Sequence, residues 1–328
     1  MSGEDGDEAG RARPSPEAAG RARVAGLALF LPIAFLGTWW MAASLRLASV
    51  ELRGLDAATR MLAATVLYAL TTAWPPLVAL WLVRRFVEPR VPLEITGRAP
   101  RRGFGVLAVV APLGLALGAT LVASLAGVGI EETALAAPTE IARPSLASTL
   151  LVTAAAMGSL LLVWGQALAE EIGWRGFVLV RGMQRFGTWP GLWIHALLWG
   201  LWYVPVVLVT GPEGAPASLA RVPSTFVTCA LLGVLLGWLR VASQSLTTSV
   251  VANSIVTIAT GAPFVVEGLD PGPRAALFGP IGWALLSAAL LALLLLRRRV
   301  PLVLPDLSPP TGVSPALAER PPSSRVLH

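Results

Sequence analysis

Eight long apolar stretches run through this 328-residue chain and leave few folds open to it. A helix needs about 20 consecutive apolar residues to cross the hydrocarbon core of a bilayer. Stretches of about that length lie at residues 24–45, 61–83, 104–126, 148–168, 190–209, 223–239, 246–266 and 275–296. Backbone polar groups in lipid must be satisfied within the protein, which favours helices for such stretches. The sequence therefore predicts an all-α fold, a polytopic transmembrane helix bundle of about eight spans.

Composition supports a membrane protein and argues against several other classes. Hydrophobic residues make up 55% of the chain and charged residues only 13%, against roughly 25% charged residues in a soluble domain. The single Cys229 excludes an internal disulfide and a cysteine cluster for metal. The net charge of +6 is the balance of 25 Arg and 19 acidic residues, since the chain contains no Lys. We expect membrane lipid as the surroundings and no nucleic-acid partner.

The distribution of Arg predicts the orientation of the bundle. If the N-terminus is inside and eight spans alternate, 19 of the 25 Arg fall in the inside segments. Cytoplasmic segments carry the excess of basic residues in multi-pass proteins. We therefore predict a multi-pass protein of the cell membrane with both termini cytoplasmic.

The chain divides into three parts by composition. Residues 1–23 form a predicted polar cytoplasmic tail, and residues 24–300 hold the transmembrane bundle. Residues 301–328 are rich in Pro and Ser and are predicted to be a disordered cytoplasmic tail, because they contain too little apolar surface to fold alone.

Two adjacent carboxylates, Glu170 and Glu171, follow the fourth apolar stretch and precede Arg175 in the string QALAEEIGWRGFVLV. A charge at the centre of a membrane helix costs about 2.5–3.5 kcal/mol on insertion scales, so such residues are functional candidates by default. Glu171 and Arg175 have the i,i+4 spacing of a favourable helical ion pair. The simplest interpretation is that this pair only neutralises Glu171, but that leaves Glu170 unexplained. A carboxylate beside such a pair can serve as a general base towards water.

Further polar groups interrupt the later apolar stretches. Tyr203 lies one turn after Trp199, and its hydroxyl needs a partner in apolar surroundings. Asn253 lies one turn before Thr257. Each pattern has a structural alternative, which is an aromatic packing face for the first pair and a hydrogen bond to a neighbouring helix for Asn253. A lone His195 is more often a packed residue than a ligand. We expect the carboxylate pair, the phenol and the amide to line one shared cavity, because lipid offers them few other partners.

Three strings in this region resemble the motifs of the CPBP family, which includes the Rce1-type CAAX prenyl endopeptidases and the bacteriocin-processing and immunity (Abi) proteins. EEIGWRG is similar to the EExxxR motif. LLWGLWYVP is similar to the second motif, in which an aromatic residue is followed four positions later by His. SLTTSVVANSIVT is similar to the third, in which His is followed four positions later by Asn. The resemblance covers about residues 148–260, with the family's order and spacing, and implies that this segment is the core of the bundle.

The resemblance also implies a set of site residues. By position they are Glu170, Glu171, Arg175, Tyr203, Asn253 and Thr257. Tyr203 and Asn253 replace the two motif histidines, and Thr257 replaces the asparagine of the third motif. In the family, the first glutamate and the histidines are taken to activate water for attack on a peptide bond, as a glutamic protease or with a metal.

The replaced histidines change the expected chemistry. Zinc prefers imidazole, thiolate and carboxylate ligands. Zinc is possible by the resemblance, but two carboxylates and an amide suit it poorly, so we expect no cofactor. Glu170 is then the expected base, with Tyr203 and Asn253 as hydrogen-bond donors to a developing oxyanion.

Two functions remain open from the sequence. The first is an intramembrane endopeptidase that cleaves membrane-associated peptides or protein C-termini. The second is a catalytically impaired homologue that binds a partner helix or peptide, as an immunity or scaffold protein. A transporter is a third alternative, suggested only by eight spans with buried charge, and the chain lacks the paired short segments typical of that class.

Overall fold

The computed structural model describes residues 16–47, 57–89, 99–126, 146–210, 215–265, 277–296 and 302, and within them it contains helices and no strand. The helices are α1 (Pro16–Leu47), α2 (Ala57–Thr72), α3 (Trp74–Phe86), α4 (Phe104–Leu125), α5 (Leu146–Glu171), a π-helical turn (Ile172–Val178), α6 (Leu179–Phe186), α7 (Thr188–Thr210), α8 (Ala215–Ser243), α9 (Leu246–Val265) and α10 (Pro280–Leu296). The predicted all-α class is confirmed.

Each of the eight predicted spans is largely helical where the structure describes it. Among the described residues, four helical segments are long and apolar enough to cross a membrane, at Gly20–Ser44, Thr65–Phe86, Phe104–Leu125 and Val222–Ser243. Two shorter apolar helical segments lie at Leu246–Ala259 and Pro280–Leu295. The chain is thus a helical membrane bundle.

The first helix is longer than the sequence indicated. It begins at Pro16 and so includes the last eight residues of the predicted polar tail. Proline is well tolerated in the first turn of a helix, and the Ala, Glu and Arg residues that follow it are good helix formers. The remainder of that tail, residues 1–15, and the predicted disordered segment except Leu302 lie outside the described residues.

The second predicted span consists of two consecutive helices. α2 ends at Thr72 and α3 begins at Trp74, with Pro75 and Pro76 in its first turn. Proline has no N–H to donate to the preceding turn, so the helical hydrogen-bond ladder is interrupted there. The two prolines are visible in the sequence, but hydropathy averaged over a long window does not register them.

Small residues allow α7 and α8 to pack closely. A Cβ on Gly233 of α8 would lie 2.9 Å from the Cα of Ala196, and one on Gly200 of α7 would lie 3.0 Å from the carbonyl oxygen of Phe226. Glycine and alanine at helix interfaces permit such close approach in membranes, where packing supplies the association energy. α7 also packs against α1 and α6, while α5 packs against α2 and α9.

Aromatic side chains fill the space between α1, α7 and the π-helical turn. Trp174 is fully buried and packs against Phe30 and Trp202, with ring centroids 6.1 and 5.4 Å away. The indole N–H of Trp202 donates to the carbonyl oxygen of Ala34 at 3.0 Å. A Cβ on Gly173 would lie 2.7 Å from the Cβ of Pro76, so a side chain there would displace α3. This packing fixes the backbone immediately after Glu170 and Glu171.

Candidate active site

The carboxyl group of Glu170 lies where α5, α7 and α9 meet. Its Oε1 accepts a hydrogen bond from the side-chain amide of Gln166 and another, of 2.6 Å, from the hydroxyl of Tyr203. Its Oε2 lies 3.4 Å from the Nδ2 donor of Asn253. Glu170 is 0% exposed. The structure therefore brings the carboxylate, the phenol and the amide together, and the phenol and the amide each donate to the carboxylate.

The neighbouring carboxyl group is held differently. Glu171 Oε1 pairs with Arg175 Nη1 at 2.9 Å, and both side chains are fully buried. The guanidinium of Arg175 also lies over the ring of Trp199, 4.1 Å from its centroid. Ser249 and Arg240 also interact with Glu171. The predicted i,i+4 ion pair is confirmed, and both of its side chains lie in the interior of the protein.

Tyr203 connects this centre to a second tyrosine. Its ring packs edge-on against Trp199, with centroids 5.1 Å apart, as the shared helix face predicted. Its hydroxyl lies 2.9 Å from the hydroxyl of Tyr68 on α2. Thr257, on α9, interacts through its side chain with Tyr68. Thr257 therefore belongs to the same polar group as Glu170, but two side chains away from it.

The π-helical turn begins directly after Glu171 and places the motif arginine. Such turns are rare, usually interrupt an α-helix and are frequent at functional sites. Here the turn spans Ile172–Val178 and contains Arg175. Hydropathy and spacing do not reveal a π-helical turn, so the sequence predicted an ordinary α-helix at this point.

His195 is separate from this polar group. Its ring packs against Trp174 with centroids 6.3 Å apart, and it is 1% exposed. Among the described contacts of Glu170, none is made by His195. The interpretation of His195 as a packed residue is confirmed.

Four residues near the carboxylates were missed by sequence reasoning. Gln166 lies one helical turn before Glu170, so the i,i+4 rule contained a usable signal for it. Tyr68 lies on a different helix about 100 positions earlier in the chain, and no local pattern connects it to Glu170. Ser249 and Arg240 belong to α9 and α8, and their proximity to Glu171 also depends on how the helices pack.

The donor set around Glu170 does not fit a metal ion. Across the part of the chain that the structure describes, no three His, Cys, Asp or Glu side chains are placed to hold one. The groups that point at Glu170 are an amide N–H, a phenol O–H and a second amide N–H, which are donors that suit an anion. Glu171 is engaged by Arg175. A zinc ion would instead need nitrogen, sulfur or oxygen atoms with free electron pairs at these positions.

Comparison with known proteins gives one match. Residues 152–259, about a third of the chain, match the family model of the Rce1-like type II CAAX prenyl endopeptidases. No curated protein and no solved structure matches the chain. The matched segment contains all six predicted site residues and nearly all of the described part of α5 through α9. The resemblance to the CPBP family is confirmed, and this segment is similar to CAAX-type intramembrane proteases.

Proposed function

We propose that this protein is an intramembrane endopeptidase of the CAAX type, in which Glu170 activates the attacking water. The observation that carries the proposal is that the two carboxylate oxygens of Glu170 differ in their hydrogen bonds. Oε1 is held by two donors, whereas Oε2 has a single long contact of 3.4 Å with Asn253. A carboxylate fixed through one oxygen keeps lone pairs on the other for a water molecule.

In the proposed reaction Oε2 of Glu170 takes a proton from water while the water oxygen adds to the carbonyl carbon of the substrate. The side-chain amide of Asn253 donates a hydrogen bond to the oxyanion that forms. The C–N bond then breaks, and the proton held by Glu170 passes to the leaving amine. The single proton of Tyr203 is directed at Glu170. The oxyanion role that the sequence predicted for both residues therefore falls to Asn253, and Tyr203 orients the base.

Glu171 and Arg175 support this reaction by position rather than by contact with substrate. Their ion pair neutralises one charge beside Glu170 and joins α5 to the π-helical turn. An uncompensated second carboxylate in the interior would repel the ionised base. We propose that no metal takes part, because the donor set described above suits an anion.

The proposed substrates are peptides or protein C-termini that lie at the membrane. The matching family and the buried site support a substrate that enters from the bilayer or its surface.

We further propose that the protein lies in the cell membrane with both termini in the cytoplasm, which rests on the Arg distribution. A reporter that works only in the cytoplasm should be active when it is fused after His328. A reporter that works only after export should be inactive there, and its activity would reject this orientation.

Hydrolysis of a peptide library by the purified protein in lipid nanodiscs tests the activity. Mass spectrometry of the products should reveal cleavage that falls about 10²–10⁴-fold in the isosteric variant Glu170→Gln, since general-base catalysis is typically worth that much. Arg185→Ala, an exposed position on α6, is the matched control and should cleave like wild type. Turnover that is equal in wild type and Glu170→Gln would place the chemistry elsewhere.

A non-catalytic binding protein is the second candidate function. It is favoured by two observations, the replacement of both motif histidines and the burial of Tyr203 and Asn253, which are 8% and 2% exposed. Restoring the imidazoles with Tyr203→His and Asn253→His separates the two functions. Raised turnover in this double variant, from a measurable wild-type rate, supports the endopeptidase. No turnover in either protein, with the fold intact, supports the binding protein.

A further inference from the structure

Tyr68 is part of the polar centre although it lies far outside the matching segment. It belongs to α2, whereas the family match begins at residue 152. Its hydroxyl lies 2.9 Å from that of Tyr203. α2 packs along α5 and also approaches α9, which brings Tyr68 between the two helices that hold Glu170 and Asn253.

Proton counting fixes the direction of the hydrogen bonds in this chain. A phenol has one O–H proton, and that of Tyr203 is donated to Glu170 Oε1. Tyr203 can therefore only accept in its contact with Tyr68, so Tyr68 is the donor. The oxygen of Tyr68 is in turn left to accept from Thr257, whose side chain interacts with it. The chain thus runs from Thr257 through Tyr68 and Tyr203 to Glu170.

The geometry points to Tyr68 as a positioning residue of the active site. Because Tyr68 donates to the oxygen of Tyr203, the hydroxyl proton of Tyr203 is donated to Glu170 Oε1. That bond and the one from Gln166 fix the carboxyl group so that Oε2 faces Asn253. In this role Tyr68 acts through Tyr203 and not through the reacting atoms. The inference rests on the proposed function, which assigns Glu170 the role of base.

The same geometry defines what a purely structural role would look like. A tyrosine that only satisfied its own hydroxyl would stabilise α2 against α7, and its loss would lower stability without altering the hydrogen bond between Tyr203 and Glu170. A positioning residue changes the state of Tyr203. The deciding readout is therefore the hydroxyl of Tyr203, observed apart from stability and activity.

The composition of the chain makes that readout direct. The chain contains only two tyrosines, and both lie in this pair. Protein labelled with ¹³C at the Cζ of tyrosine should give two resonances in nuclear magnetic resonance spectra, each sensitive to the hydrogen bonds of its hydroxyl. Tyr68→Phe removes one resonance and leaves that of Tyr203 alone. Glu170→Gln provides the reference for Tyr203 without its anionic acceptor.

We expect the Tyr203 resonance of Tyr68→Phe to shift from its wild-type position towards that of Glu170→Gln. With a cleavable peptide from the library, kcat should fall by up to about tenfold with KM unchanged, the size expected for one hydrogen bond. Thr120→Val on α4 is the matched control, since among the described residues its hydroxyl bonds only the carbonyl oxygen of Ala116. It should leave both tyrosine resonances and the kinetics unchanged.

A Tyr203 resonance that stays at the wild-type position in Tyr68→Phe overturns the inference, as does an unchanged kcat. If Tyr68→Phe does not fold, Thr257→Val tests the same chain from its far end, and it should shift the Tyr68 resonance more than that of Tyr203. A Tyr68 resonance that shifts no more than that of Tyr203 would then reject the inference. Absence of wild-type turnover would reject the proposed function alone, because the Tyr203 resonance still decides whether Tyr68 positions it.

Discussion

Polar side chains are satisfied in two different ways in two regions of this membrane bundle. On α4, Thr120 and Ser124 each donate to a carbonyl oxygen four residues earlier in the same helix. The carboxyl group of Glu170 is instead bonded by side chains, those of Tyr203 and Asn253 on other helices and that of Gln166 one turn earlier. The first arrangement needs no neighbour, while the second exists only when four helices pack correctly. A polar residue in an apolar stretch is thus a site candidate only when its own helix cannot satisfy it.

The first and largest test removes a charge from the convergent region. Arg175→Ala leaves Glu171 buried without its ion-pair partner, which should destabilise the bundle by about 3–5 kcal/mol. Thermal unfolding in detergent measures the effect. The double variant Glu171→Leu with Arg175→Leu should recover most of the loss, because no uncompensated charge remains. Arg185→Ala, exposed on α6, should change stability by less than about 0.5 kcal/mol.

The second test removes one hydrogen bond from Glu170. Tyr203→Phe deletes the donor to Oε1 and should lower the unfolding free energy by about 1–3 kcal/mol, because a buried acceptor loses a partner. Thermal unfolding of the variant against wild type in the same detergent gives this value. A neutral result would indicate that Glu170 does not depend on the phenol.

The third test concerns an ion pair outside the spans. Arg181 of α6 pairs with Glu88, which follows α3. Burial raises the pKa of Glu88, and the positive charge of Arg181 opposes that rise. A carboxyl group whose pKa is raised by folding contributes stability below its ordinary pKa and loses it as the pH rises through the raised value. Glu88→Gln should therefore flatten the decline of the melting temperature over that acidic interval. A slope equal to that of wild type would show that Glu88 titrates as it does in the unfolded chain.

The smallest effect is expected on α4. Thr120→Val removes a hydroxyl whose only described partner is a carbonyl oxygen of its own helix. That carbonyl oxygen still accepts the backbone hydrogen bond of the helix, so stability should change by less than about 0.5 kcal/mol. A loss comparable to that of Tyr203→Phe would break the distinction between the two regions.

The same distinction explains how much of the fold and the site could be predicted. Hydropathy located the apolar helical stretches but not the short polar helix α6, and the i,i+4 rule located the Glu171–Arg175 pair. Both rules depend on residues close together in the chain. Spacing alone did not connect Tyr68 to Glu170, since that contact depends on the packing of α2. The break before Pro75 and the early start of α1 were hidden by averaging over long apolar windows. The roles of the site residues in catalysis stay predictions.

The most direct test of the convergent region is a double-mutant cycle between Glu170→Gln and Tyr203→Phe, measured by unfolding free energy in detergent. Groups in direct hydrogen-bond contact should give a coupling energy of about 0.5–3 kcal/mol. The pair Glu170→Gln and Thr120→Val serves as the reference and should be additive within about 0.5 kcal/mol. We predict coupling in the first cycle and additivity in the second. Additivity in both would contradict the account, because Glu170 and Tyr203 would then not share one polar centre.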